Sequence, residues 1–183
     1  MDMFRANKPF FLFLLKFAGS YLLLSLLYRL YLMQFDAALF EPDGMTRLVA
    51  EQSRDIMIFF GENASIQRLY TEPSYRFFVN GRSVARVVEG CNAVNVMILF
   101  AAFVVAFSST LKKTALYIVF GAVVIHILNV TRIALLNFGL FYYPEYGEIL
   151  HDVVFPLFIY GVVFVLWVIW VIKFSGNVKK TKA

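Results

Sequence analysis

The sequence predicts an all-α membrane protein, a bundle of four transmembrane helices with an extracytoplasmic loop region containing a short helix and a β-hairpin. Three observations lead there. Of 183 residues, 61% are hydrophobic and only 16% charged, a balance that soluble domains of this length rarely show. Four stretches are apolar over roughly the 20 helical residues that cross a hydrocarbon core of about 30 Å. The lysines collect at the ends of those stretches rather than within them.

The first span runs from about 10 to 33, with Lys16 and Arg29 near its ends, where long side chains can snorkel to the headgroups. It is too long for a signal-peptide core and no small-x-small cleavage site follows it, so it reads as a retained helix. The second span covers about 92–110, the third about 114–141 and the fourth about 153–172. No internal repeat or low-complexity linker divides residues 1–183, which read as a single integral membrane domain.

Orientation follows from the basic residues. Arg5 and Lys8 precede the first span, Lys112 and Lys113 join the second to the third, and Lys173, Lys179, Lys180 and Lys182 follow the fourth. With four crossings these short segments share one side, and the positive-inside rule makes it cytoplasmic, with both termini there. The segment of about 34–90 is then extracytoplasmic. Within it, Leu48, Val49, Ile56, Phe59 and Phe60 fall at helical spacings over 46–60, with Gly61 as the stop. Further on, "FFVNGRSVARVV" sets Asn80-Gly81 between two β-prone runs, a strong hairpin signal. Asn63-Ala64-Ser65 matches a glycosylation acceptor, a weak pattern read as chance.

Composition excludes several functions. A single cysteine, Cys91, rules out an internal disulfide, a CxxC redox pair and a multi-thiolate metal site. His126 and His151 are the only histidines and have no metal-protease spacing, so no metal or cofactor is expected. The net charge of +5 could suit nucleic acid, but lysines at span edges fit anionic lipid headgroups better. Membrane lipids are the expected partner and nucleic acid is not.

Three chemically capable residues arrive at one depth from three segments. Arg132 is 19 residues beyond Lys113 in the third span, a rise of about 28 Å, which puts it near the outer interface. Cys91 opens the second span from the same side, and the loop "YYPEYGEILHD" delivers His151 to the start of the fourth. Glu89 and Asn92 flank the thiol, Asn129 shares a helix face with Arg132, and Asp152 adjoins His151; these four are the candidate supporting or substrate-binding residues. His126, deeper in the third span, is read as a hydrogen-bonded packing residue.

The combination has a definite chemistry. A thiolate is the reactive nucleophile, and a neighbouring imidazole can take its proton. A guanidinium cannot usefully give up a proton but can stabilise a tetrahedral oxyanion or grip a carbonyl. Cys91, His151 and Arg132 thus compose an acyl-transfer site for a peptide bond at the outer membrane surface.

At these residues the chain resembles the exosortase/archaeosortase family, most closely its exosortase F type of Bacteroidetes. The resemblance rests on Glu89-Gly90-Cys91 at a span entrance, "NVTRI" late in the next span and "LHDVVFP" opening the last, and covers roughly Val87 to Pro156. Where many members carry Ser-Gly shortly after the cysteine, this chain has Asn92-Ala93-Val94. The resemblance implies a catalytic trio of Cys91, Arg132 and His151 in an inner-membrane cysteine protease or transpeptidase with its active site facing the periplasm. It implies substrates that are exported proteins with a C-terminal sorting signal (a short motif, an apolar helix and a basic tail), and a surface glycolipid or polysaccharide component as candidate acceptor. The alternative from another class is a non-catalytic four-helix subunit of an envelope-export or assembly complex. A small transporter ranks last, because the polar residues gather at the outer rim rather than through the bilayer middle.

Overall fold

The structure is a computed structural model and describes residues 7–35, 37–107 and 109–174. Arg5, Lys179, Lys180 and Lys182, which entered the charge argument, lie outside the described residues. The chain is mostly helical, with a small antiparallel sheet.

Helix α1 (Lys8–Leu32) is apolar around its whole circumference and buries none of its residues within the molecule. A helix apolar on every side is not built to face water. After a 3-10 turn (Ala37–Leu39), helix α2 (Gly44–Phe59) is amphipathic. Asp43 caps it, its Oδ1 accepting from the backbone N–H groups of Met45 at 2.9 Å and Thr46 at 3.0 Å, while the Thr46 hydroxyl donates to Oδ2. Strands β1 (Ala64–Arg68), β2 (Ser74–Val79) and β3 (Arg82–Val88) follow, in the spatial order β1-β2-β3. Asn80 and Gly81 have φ of 50° and 78°, the pair of positive values that a two-residue type I′ hairpin turn demands. The expected hairpin is therefore present. β1 adds a third strand that the sequence did not announce.

A 3-10 turn (Glu89–Cys91) leads into α3 (Val94–Ala106), then α4 (Leu111–Tyr142). A 3-10 turn (Pro144–Tyr146), one α turn (Gly147–Ile149) and a π-helical turn (Leu150–Val154) precede α5 (Phe155–Ile169), which ends in a second π-helical turn (Trp170–Phe174). Three helical segments are long and apolar enough to cross a membrane: Lys8–Leu32, Leu111–Tyr142 and Pro144–Phe174. The second expected span differs. Its helix has 13 residues, a rise of about 20 Å, short of a bilayer core. Both ends are set by the backbone: Ala93 adopts a left-handed φ of 60°, which breaks helical continuity with the turn at Cys91, and Phe107, at φ −93° and ψ 42°, leaves the helical range after Ala106.

Two apolar cores hold these elements. In one, Val49, Ala50 and Met57 of α2 and Phe77, Val79 and Val87 of the sheet pack on Val130, Ile133 and Ala134 of α4. Phe77 is fully buried there, a stabilisation of about 1.5–3 kcal/mol by burial alone. In the other, Phe100, Val104, Tyr117, Ile125, Val163, Leu166 and Trp170 join α3, α4 and the last helix. Gly121 lets Phe100 approach: a Cβ there would meet the ring at 2.2 Å. The first core sets α2 and the sheet against the late turns of α4, and that contact builds the cleft described next.

Candidate active site

Cys91, Arg132 and His151 line one cleft of about 330 Å³, together with residues Val84 to Val88 of β3 and Ile133, Leu136, Asn137 and Leu140 of α4. Each side chain arrives by a local device. The hairpin runs β3 into the 3-10 turn that ends at Cys91, and the thiol is partly exposed. Asn129 fixes that turn from α4, its Nδ2 donating to the Cys91 carbonyl at 2.7 Å. Arg132, one turn further along α4, is half-buried, and its Nε is buried without a hydrogen-bond partner. His151 and Asp152 sit in the π-helical turn, where the wider backbone re-aims side chains, and such turns recur at functional sites.

The His151 Nδ1 bonds Asp152 Oδ1 at 2.6 Å, while both side chains stay about two-thirds exposed at 65% and 68%. That bond engages Nδ1, the ring nitrogen nearer the backbone. Among the described residues no hydrogen bond joins His151 to the Cys91 thiol. In ligand-free enzymes such contacts are often long and tighten only on substrate.

The other candidates take different places. Asn92 is 1% exposed and does not line the cleft. Its Oδ1 accepts from the Val94 N–H at 2.9 Å, while its Nδ2 reaches Tyr28 Oη at 2.9 Å and Thr46 Oγ1 at 3.3 Å. It ties α1, α2 and α3 together at the level of the thiol. Glu89 is exposed and also lies outside the cleft lining. Partial burial pushes its carboxyl above the usual range, with the Asp43 carboxylate adding to the shift. His126 bonds Gln52 of α2 at 2.7 Å, so α2 reaches that depth of α4. Among the described residues no three His, Cys, Asp or Glu side chains meet in a metal-binding group.

Two cleft features went unread in the sequence. One is that β3, the second arm of the expected hairpin, lines the cleft from Val84 to Val88. The other is Asn137, 1% exposed, whose Nδ2 donates to the Ile133 carbonyl at 2.8 Å while its Oδ1 has no partner. An amide within an apolar helix is the signal that could have found it. Comparison with models of known protein families, with curated proteins and with solved structures finds no match. The fold and cleft define a helical protein apolar enough for a bilayer, with a thiol, a guanidinium and an imidazole on one cleft, the imidazole bonded to a carboxylate that does not line it.

Proposed function

We propose that the chain is a membrane-embedded cysteine protease or transpeptidase of the exosortase kind, acting on C-terminal sorting signals of exported proteins at the outer face of the inner membrane. The observation that carries the reading is the shared cleft of Cys91, Arg132 and His151. The Cys91 thiol attacks the scissile carbonyl while His151, oriented by Asp152, takes its proton. Arg132 holds the oxyanion as the tetrahedral intermediate forms. Collapse breaks the C–N bond, the proton passes from His151 to the leaving amine, and a thioester remains on Cys91. Water then hydrolyses the thioester, or a nucleophilic group of a surface glycolipid or polysaccharide component takes the acyl group.

The topology of this reading has four crossings, both termini cytoplasmic and the cleft periplasmic. The short α3 is compatible with it. The Cys91 carbonyl is bonded to Asn129, and α4 begins at Leu111, a rise of about 27 Å from Leu111 to Asn129. The chain from Cys91 to Thr110 must cover that same distance, with the helix supplying about 20 Å and its flanking turns the rest.

The test is co-expression with a tagged exported protein ending in an apolar helix and a basic tail. The wild-type chain shortens it, and Cys91→Ala, Arg132→Ala and His151→Ala leave it intact. Unchanged processing by Cys91→Ala ends the reading in favour of a non-catalytic subunit.

A further inference from the structure

We propose that the outer edge of β3 is the substrate-docking edge, and that the peptide ahead of the scissile bond adds to the sheet there as a fourth, extended strand. This rests on the peptidase reading of the cleft. Five consecutive residues, Val84 to Val88, line that cleft. Side chains of a strand alternate between faces, so an unbroken run borders one space only when that space lies along the strand's edge. β3 is an edge strand, since the sheet order is β1-β2-β3.

The main-chain groups on that edge can be assigned. The Ser74 carbonyl accepts from the Leu69 N–H at 3.0 Å, on the β1 side of β2. By alternation Ser74 and Arg76 direct their main-chain groups toward β1, and their β3 partners Val88 and Arg86 direct theirs away from β2. The edge is unguarded by proline, and it runs directly into the turn that carries Cys91. A second, independent feature points to a polar ligand in the same space: Asn137, a cleft-lining residue 1% exposed, carries a buried Oδ1 with no partner. An extended peptide offers N–H and C=O groups to such an edge, the recognition mode of strand addition. The five residues leave room for about 17 Å of strand, about five peptide units.

The test uses the full chain in lipid nanodiscs and two thiol reagents, acetyl-pentaalanyl chloromethyl ketone and iodoacetamide. In both, the Cys91 sulfur forms a C–S bond as halide leaves and the thiol loses its proton. Only the first carries a peptide backbone. Docking is read from the ratio of their rates, and nucleophile activation from the iodoacetamide rate alone, so the two ideas fail separately. Two N-methylated versions of the peptide reagent are compared, one blocked at odd nitrogens and one at even.

Strand addition expects one version to lose about tenfold in rate, as two edge hydrogen bonds are lost, while the other stays close to the parent. Arg86→Pro, which removes an edge N–H, abolishes the advantage of the peptide reagent, and Arg86→Ala keeps it. Equal rates for both methylated versions, whether fast or slow, overturn the proposal. That comparison is made on the wild-type chain and stands even where Arg86→Pro fails to fold.

Discussion

Replacing Asn129 with leucine tests how the cleft holds its thiol. Asn129 is 1% exposed and donates to the Cys91 carbonyl at 2.7 Å. Leucine keeps most of the volume and removes the donor, leaving that carbonyl without its partner. The loss of a buried hydrogen bond with one group left unsatisfied costs about 1–3 kcal/mol. For a chain of this length each kcal/mol lowers the unfolding midpoint by roughly 2–4 °C, so a fall of about 2–12 °C is expected. Thermal unfolding in nanodiscs reads the first effect. Alkylation of Cys91 by iodoacetamide reads the second, because the 3-10 turn that presents the thiol loses its tether and the rate changes. Thr131→Val is the control: that hydroxyl bonds Ile127 on an exposed face of the same helix, and its loss should move neither quantity. An Asn129→Leu chain with wild-type midpoint and wild-type alkylation would refute the role assigned to this amide.

Other outcomes follow from the same geometry. Asp152→Asn removes the charge partner of His151 while leaving exposed surface, so the unfolding midpoint holds and processing of a tagged substrate slows by about tenfold or more. Gly121→Ala drives a methyl into the Phe100 ring and costs about 1–3 kcal/mol, and Phe100→Leu in the same chain recovers part of the loss in a denaturation series. Gly81→Ala places a side chain at φ 78° and destabilises by about 1 kcal/mol, seen as faster proteolysis of the hairpin. Glu89 holds its proton more tightly folded than unfolded, so its contribution to stability falls as pH rises above 4.5, its ordinary value, through the raised folded value. Glu89→Gln should therefore unfold at a slightly higher temperature than wild type at pH 7, with the gap closing below pH 4.5.

Much of this arrangement was legible because local chemistry dictates it. Asn80-Gly81 between two β-prone runs specifies a type I′ turn, and the apolar spacing from Leu48 to Phe60 specifies the helix seen at Gly44–Phe59. The depth argument for Arg132 rests only on helical rise, and the structure sets Arg132, Cys91 and His151 on one cleft. What stayed hidden depends on partners distant in sequence. β1 is short and carries Ser65, Gln67 and Arg68, with little apolar alternation to reveal it until β2 pairs with it. Asn92 reads as a neighbour of the thiol, but its bonds go to Tyr28, 64 residues away, and Thr46, 46 away. The late start of α3 follows from a left-handed Ala93, a conformation alanine rarely adopts, and its early end from Phe107 leaving the helical range; no composition rule foresees either. The partner of His126 is Gln52, visible only once α2 is packed on α4.

The most direct measurement is intact-mass analysis of the wild-type chain and its Cys91→Ala variant during processing of a tagged sorting-signal substrate. Acyl transfer through the cleft leaves the substrate's N-terminal portion joined to Cys91 as a thioester, released by hydroxylamine and missing from the variant, which does not process. Full processing by the Cys91→Ala chain, with no adduct on either protein, would contradict it.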